Sequence, residues 1–241
     1  KRVRYFGCKR VDVFATAVLR NAVNCTEAVA EIERRCGLAV TLLSARDEAH
    51  LGFVGARCST PLERGTLVDI GGGSTELTSI KGGFDLAKTS IPQGSLSSFA
   101  NYVAGLMPTQ KEVNAIAQAF RELAEKEETD VYHCTQLYGI GGSIRSAAKL
   151  YGDLCNNGNR FNYLLPEHID AILNRYADGP NAFAHEALRT LPDRIHTLIP
   201  GCVIIREAFK LCGGERLDIC KYGVREGYLA ERVLVKPVSF A

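Results

Sequence analysis

At 241 residues, with 46% hydrophobic and 23% charged residues, the chain has the composition of a globular protein with a sizeable core, in one large domain or two modest ones. A formal net charge of +2 is too balanced for a nucleic-acid binder, and no apolar run approaches the eighteen residues that cross a bilayer. Nine cysteines, with no C-x-x-C pair and no visible signal peptide, point to free thiols in a reducing cytoplasm rather than to disulfides or zinc. Only the first 36 residues are locally basic, eight Lys/Arg against four acids, which suits either an anionic ligand or a solvated face.

In chain order, residues 15–36 read as helix, with Asn24 or Thr26 as a cap and Gly37 as the stop. "LAVTLLS" (38–44) is a short β-branched strand and 46–56 a second helix, followed by a polar connection at 59–65. "TLVDI" (66–70), "TELTSI" (75–80) and "FDLAKTSI" (84–91) form a three-strand meander on glycine turns. Helices are expected at 95–104 and 109–127, a strand at 136–140, and a helix from Ile144 after Gly141-Gly142-Ser143. The Asn/Gly-rich stretch 152–162 reads as a surface loop. Helices then dominate to about 213, before a last strand in "RLDICKYG" and a terminal helix in "REGYLAERVL". Strand-rich, then alternating, then helical, the order is that of an α/β protein with a mixed sheet.

The chemistry concentrates in "LVDIGGGSTEL" (67–77). A Rossmann loop needs G-x-G-x-x-G before a helix, whereas a strand follows Gly71-Gly72-Gly73-Ser74, and "GIGGSI" (139–144) has Ile144 where the last glycine belongs. "GGFDLAKT" (82–89) fails as a Walker loop, with Ala87 in a glycine position and Lys88 inside a strand. What remains is a glycine hairpin whose backbone N–H groups form a concave anion site. A carboxylate beside a phosphate is repelled unless a cation intervenes, so Asp69 and Glu76 suggest a Mg²⁺-type ion. The plain alternative, a tight turn, stays open for the glycines alone.

Seven segments in order resemble the exopolyphosphatase / guanosine pentaphosphate phosphohydrolase (Ppx/GppA) family: "FATAVLRNAVN" (14–24), "SARDEAHLGFVG" (44–55), "LVDIGGGSTEL", "SIPQGSL" (90–96), "YGIGGSIRSAAKL" (138–150), "PDRIHTLIPG" (192–201) and "YGVREGYL" (222–229). The resemblance implies an actin-like ATPase (ribonuclease H-like) fold with two domains around a cleft. Residues 1–63 would be the remainder of domain I, 64–226 domain II, and 227–241 a C-terminal helix returning to domain I. Nothing before Asp69 resembles the family's first D-x-G-S-x-S hairpin and the chain opens on Lys1, so the expectation is a first domain lacking its opening strands.

The resemblance also implies roles. Glu48 matches a general base that activates water, and Arg20 an arginine on the phosphates. Asp69 and Glu76 match carboxylates at a divalent-cation site. Gly71, Gly72, Gly73 and Ser74 match one phosphate loop, Gly141, Gly142 and Ser143 the other, and Arg194 a polyphosphate-holding segment. From the residues alone, Asp47 and Glu48 read as ordinary helix-surface acids, and Arg20 reads equally as a surface cation. Arg145 and Arg225 are expected in structural ion pairs, and the five histidines show no metal-ligand spacing. The implied reaction is hydrolysis of the terminal phosphoanhydride of inorganic polyphosphate, with Mg²⁺. Guanosine pentaphosphate is the alternative substrate, and a non-catalytic phosphate-compound regulator the alternative role. A homodimer is common in the family; no residue pattern here points to one.

Overall fold

The computed structural model describes residues 5–155 and 158–234. Lys1, Arg2 and Arg4 of the basic stretch, Asn156 and Asn157 of the 152–162 loop, and residues 235–241 of the expected C-terminal unit lie outside the described residues.

The chain begins with a small parallel sheet, β1 (Val13–Ala15) beside β2 (Val40–Leu42). The helix expected over 15–36 is thereby divided: strand pairing claims Ala15, a single turn α1 spans Ala17–Arg20, and α2 runs Cys25–Cys36. The break falls where the cap signal stood, since Asn24 is the N-cap residue of α2 and Gly37 closes it at φ 66°. No residue of α2 is buried.

Helix α3 (Ala45–Arg57) follows, capped by the Ser44 hydroxyl accepting the Asp47 N–H at 3.0 Å. The meander is as expected: β3 (Arg64–Ile70), β4 (Thr75–Lys81) and β5 (Phe84–Ile91), antiparallel, with Asp69 paired to Glu76. Next come α4 (Ser95–Tyr102), α5 (Gln110–Ala124), β6 (Gln136–Ile140) and α6 (Gly142–Cys155). The expected surface loop at 152–162 is shorter at its start, because α6 runs on to Cys155. A two-residue strand, β7 (Tyr163–Leu164), then precedes α7 (Pro166–Asp178), α8 (Pro180–Thr190), α9 (Ile195–Cys212), β8 (Arg216–Ile219) and α10 (Val224–Tyr228). The terminal helix changes to a π turn over Leu229–Val233.

These strands make a six-stranded mixed sheet in the order β5-β4-β3-β6-β8-β7, with β3, β6 and β8 parallel. Its two faces follow from the period-2 alternation of β3 and β4. Val68, Ile70 and Leu77 face the larger core with α5, α6, α7 and α9. Leu67 and Ile80 face the other way, onto Phe53 and Ala56 of α3. Helix α9 is apolar nearly all round, from Leu198 through Ile205 to Phe209, and lies inside the protein as such a helix must. Each fully buried Ile, Leu or Val there contributes about 1.5–3 kcal/mol over an exposed one. By the same alternation Asp69 shares the α3 face with Leu67, and Glu76 with Ile80. The two carboxylates are therefore delivered to one spot by strand register. Among the described residues no helix is long and apolar enough to cross a membrane.

Candidate active site

The β3–β4 turn carries the glycines. Gly71 N–H donates to Ser74 O at 3.0 Å, closing it, while the N–H groups of Gly72 and Gly73 have no acceptor among the described residues. Glu76 is buried behind this turn, and its Oε1 accepts the hydroxyls of Ser74 (2.5 Å) and Ser90 (2.8 Å). The Asp69 carboxylate, partly covered, accepts no hydrogen bond among the described residues.

Helix α3 brings Glu48 to the same face. A Cβ on Gly52 would lie 3.9 Å from Asp69 Oδ2, and one on Gly55 would collide with the backbone carbonyl of Gly223 just before α10. Bare backbone at these positions seats α3 against the sheet face and the start of α10, and Glu48 lies one helical turn before Gly52, over the carboxylate pair. The surface reading offered for Asp47-Glu48 is right for one of them. Asp47 is only half-buried and pairs with Arg232 at 3.0 Å. Glu48 is only 7% exposed and accepts Arg20 Nη1 at 2.8 Å, while the same nitrogen donates to Leu43 O. Arg20 is likewise no free surface cation.

Three carboxylates now crowd one face. Burial, reinforced by the charge of Glu48 and opposed by Arg145, pushes the Asp69 carboxyl up to about 7. Burial again, with the charges of Asp69 and Glu48, raises Glu76 to about 8 against the pull of the Ser74 and Ser90 hydroxyls. The charge on Asp69 and Glu76, unlike that on Glu48, lacks an ion-pair partner among the described residues. Its donors are hard oxygens, one of them wholly free, which fits a Mg²⁺-type ion held by Asp69 and Glu76 with water completing its shell. Among the described residues no cluster of three His, Cys, Asp or Glu side chains stands at ligating distances.

The second glycine loop meets the first at Asp69. Gly141 has φ 96°, and a Cβ there would lie 2.7 Å from Asp69 Oδ1. Gly142 opens α6 directly beneath the Arg194 guanidinium, where a Cβ would lie 2.5 Å from Nη2. Ser143 is buried behind the loop. Arg20, Glu48, Asp69, Glu76, Gly71–Ser74, Gly141–Ser143 and Arg194 thus form one contiguous region, although they come from separate segments.

The expectation of structural ion pairs fails here. Arg145 and Arg225 make no ion pair among the described residues. Instead they line a cavity of about 160 Å³ with Asp69, Gly141 and Lys221. The signal was the position of Arg145, one helical turn into α6 on the loop side. His50, which has no metal-ligand spacing, makes a satisfied polar contact, bridging Asp85 (2.6 Å) and Glu231 (2.8 Å) with its two ring nitrogens. Lys88 pairs with Asp85 within β5, as its rejection from a Walker loop requires.

Comparison with known proteins bears on the fold and the family. The curated Exopolyphosphatase 1 of Mycobacterium tuberculosis (strain ATCC 25618 / H37Rv) is 23% identical over 94% of this chain and 68% of its own length, and that of Mycobacterium bovis matches equally. Among solved structures, an exopolyphosphatase from Cytophaga hutchinsonii superposes with a TM-score of 0.80 at 17% identity, covering 95% of this chain and 76% of that one. The Aquifex aeolicus Ppx/GppA family member gives 0.73 at 24%, covering 97% and 77%. The fold is therefore the actin-like ATPase fold of those proteins. The sequence profile of the Ppx/GppA phosphatase family matches residues 1–236, and the chain belongs to that family.

Proposed function

We propose that this chain is an exopolyphosphatase that removes the terminal phosphate of inorganic polyphosphate by hydrolysis. Membership of a phosphatase family makes it a phosphoanhydride hydrolase. The observation that carries the finer reading is the part-buried Arg20–Glu48 pair (2.8 Å) beside the Asp69–Glu76 register pair at the glycine hairpin. A buried carboxylate there gives water a base, and the adjoining cations and amides give phosphate oxygens their donors.

In this reading the terminal phosphate lies between the two glycine loops. The N–H groups of Gly72 and Gly73, with Ser74 and the Gly141–Ser143 turn, hold its oxygens, and Arg194 holds the phosphates that follow. Arg20 turns toward the incoming phosphate, and Glu48, released from it, orients the attacking water and accepts its proton. A divalent cation held by Asp69 and Glu76 would neutralise charge on the transferred group and the leaving oxygen. The proposed division assigns 1–63 to domain I, 64–226 to domain II and 227–241 to a returning helix, with closure between them excluding bulk water.

The test is orthophosphate release from long-chain polyphosphate with Mg²⁺. Glu48→Gln keeps the side-chain shape, removes the base, and should lower kcat by about 10²–10⁴-fold. Full activity in that variant refutes the mechanism. Turnover of guanosine pentaphosphate in preference to polyphosphate would move the substrate assignment while leaving these roles intact.

A further inference from the structure

Beneath the two glycine loops lies a pair of buried serines. Ser95, the first residue of α4, is 3% exposed and Ser143 is 8% exposed. Ser143 Oγ donates to Ser95 Oγ at 3.1 Å, and Ser95 Oγ donates in turn to Gly71 O at 3.3 Å. The Ser95 N–H donates to that same carbonyl at 3.0 Å. Ser95 is not a helix cap, since Gly94 holds the N-cap place and the Ser97 hydroxyl accepts its N–H. Next to it, the N–H groups of Leu96 and Ser97 donate to Gly72 O at 2.9 and 2.8 Å.

The surroundings keep room for this contact. A Cβ on Gly94 would lie 2.6 Å from both Gly71 O and Gly72 O, so only glycine admits the close approach. From below, Gly201 of α9 faces both serines, with its would-be Cβ 3.3 Å from Ser143 Cβ and 3.7 Å from Ser95 Cβ.

In a trans peptide the carbonyl and the N–H point in opposite directions. Holding Gly71 O and Gly72 O toward α4 therefore turns the N–H groups of Gly72 and Gly73 to the opposite side, where they have no acceptor among the described residues. Hydrogen bonds to those carbonyls also polarise the same peptide units and strengthen their N–H groups as donors.

We propose that Ser95 is a positioning residue of the phosphate site: its hydroxyl and its amide lock the first glycine loop to Ser143 of the second, so that both loops present donors to one phosphate at a fixed separation. This rests on the reading of both loops as phosphate-binding. Removing one link of such a lock displaces the donors by a fraction of an ångström, with a kcat cost of about tenfold.

The experiment is a double-mutant cycle of Ser95→Ala and Ser143→Ala, read as kcat and KM for polyphosphate at a temperature well below melting. Because the two serines act as one chain, each single variant should lose about tenfold in kcat with KM within about twofold, and the double variant should be no slower than the slower single. Losses that multiply, or a Ser95→Ala kcat within twofold of wild type, overturn the inference. Should Ser95→Ala fail to fold, Gly201→Ala keeps both hydroxyls and crowds Ser143. It should lower kcat in the same way, and unchanged kcat there refutes the lock. If the wild type releases no phosphate, the hydrolase reading fails separately. The same cycle is then read as calorimetric affinity for inorganic tripolyphosphate, where non-additive weakening supports Ser95 and additive or absent weakening overturns it. A wild type that binds no tripolyphosphate overturns both.

Discussion

Asp69→Asn isolates the charge crowding at the site. The carboxyl is raised from an ordinary 3.8 to about 7, first by burial and then by the charge of Glu48. In the folded protein the proton is thus held more tightly than in the unfolded chain. The stability this gives is complete below pH 4 and is lost as pH rises through 7. At pH 8 the ionised side chain costs the fold about 4 kcal/mol relative to a neutral one. Asparagine keeps the shape, carries no charge, and forfeits no hydrogen bond found among the described residues. For a chain of this size, 4 kcal/mol corresponds to roughly 10 °C in melting temperature. Thermal melts of wild type and variant, in chelator at pH 5 and pH 8, should coincide more closely at the lower pH. At pH 8 the variant should melt well above wild type. Mg²⁺ should raise the wild-type melting temperature at pH 8 and leave the variant unmoved. A variant that melts at or below wild type at pH 8 in chelator would refute the argument from uncompensated charge.

If Asp69 (about 7) and Glu76 (about 8) hold a divalent cation as proposed, protons compete with it, and phosphate release at limiting Mg²⁺ should climb between pH 6 and 8.5. Raising Mg²⁺ should move that limb to lower pH, and a limb indifferent to Mg²⁺ would contradict it. His50 is pushed down by burial, but its bonds to Asp85 and Glu231 outweigh this and hold its pKa above the ordinary value. Only the imidazolium donates from both nitrogens, and Lys88 and Arg232 are the cations that share those carboxylates. The stability His50 contributes is present below pH 6.5 and lost as pH rises through its raised value, so His50→Gln should flatten the melting profile in that interval; an unchanged profile removes His50 as its source. Gly55→Ala drives a methyl group into the Gly223 carbonyl and should cost about 1–3 kcal/mol in urea unfolding while lowering activity through Glu48. A neutral effect would mean that α3 and α10 part easily.

Much of the site was legible because its signals are local. Gly71-Gly72-Gly73 between two alternating runs fixed a hairpin, and the hairpin's register paired Asp69 with Glu76. The cap at Asn24 marked the start of α2, although helical content alone carried the expectation back to residue 15. Strand β1 was hidden because its reason is a partner 27 residues away, β2. The two residues of β7 are too few to carry a period. Glu48 could not be told from Asp47 by composition, since both are acids in the first turn of one helix. What separates them is the glycine face of α3, whose meaning appears only when Gly223 is opposite. Arg145 and Arg225 illustrate the converse error, for nothing local distinguishes a cation that finds an acid from one that lines a cavity.

The contact between α3 and α10 also bears on how this sequence can be recombined with its relatives. The backbone carbonyl of Gly223 leaves no room for a Cβ on Gly55, and a Cβ on Gly227 would strike the backbone carbonyl of Leu51. The segments 45–57 and 223–228 are thus one unit of inheritance, although some 165 residues of chain separate them. A chimera with a single crossover between them would join α3 from one parent to α10 from another, and any side chain added at that seam would tilt Glu48 away from Asp69. Crossovers that carry both segments from the same parent should yield active hybrids, whatever the origin of the helices between.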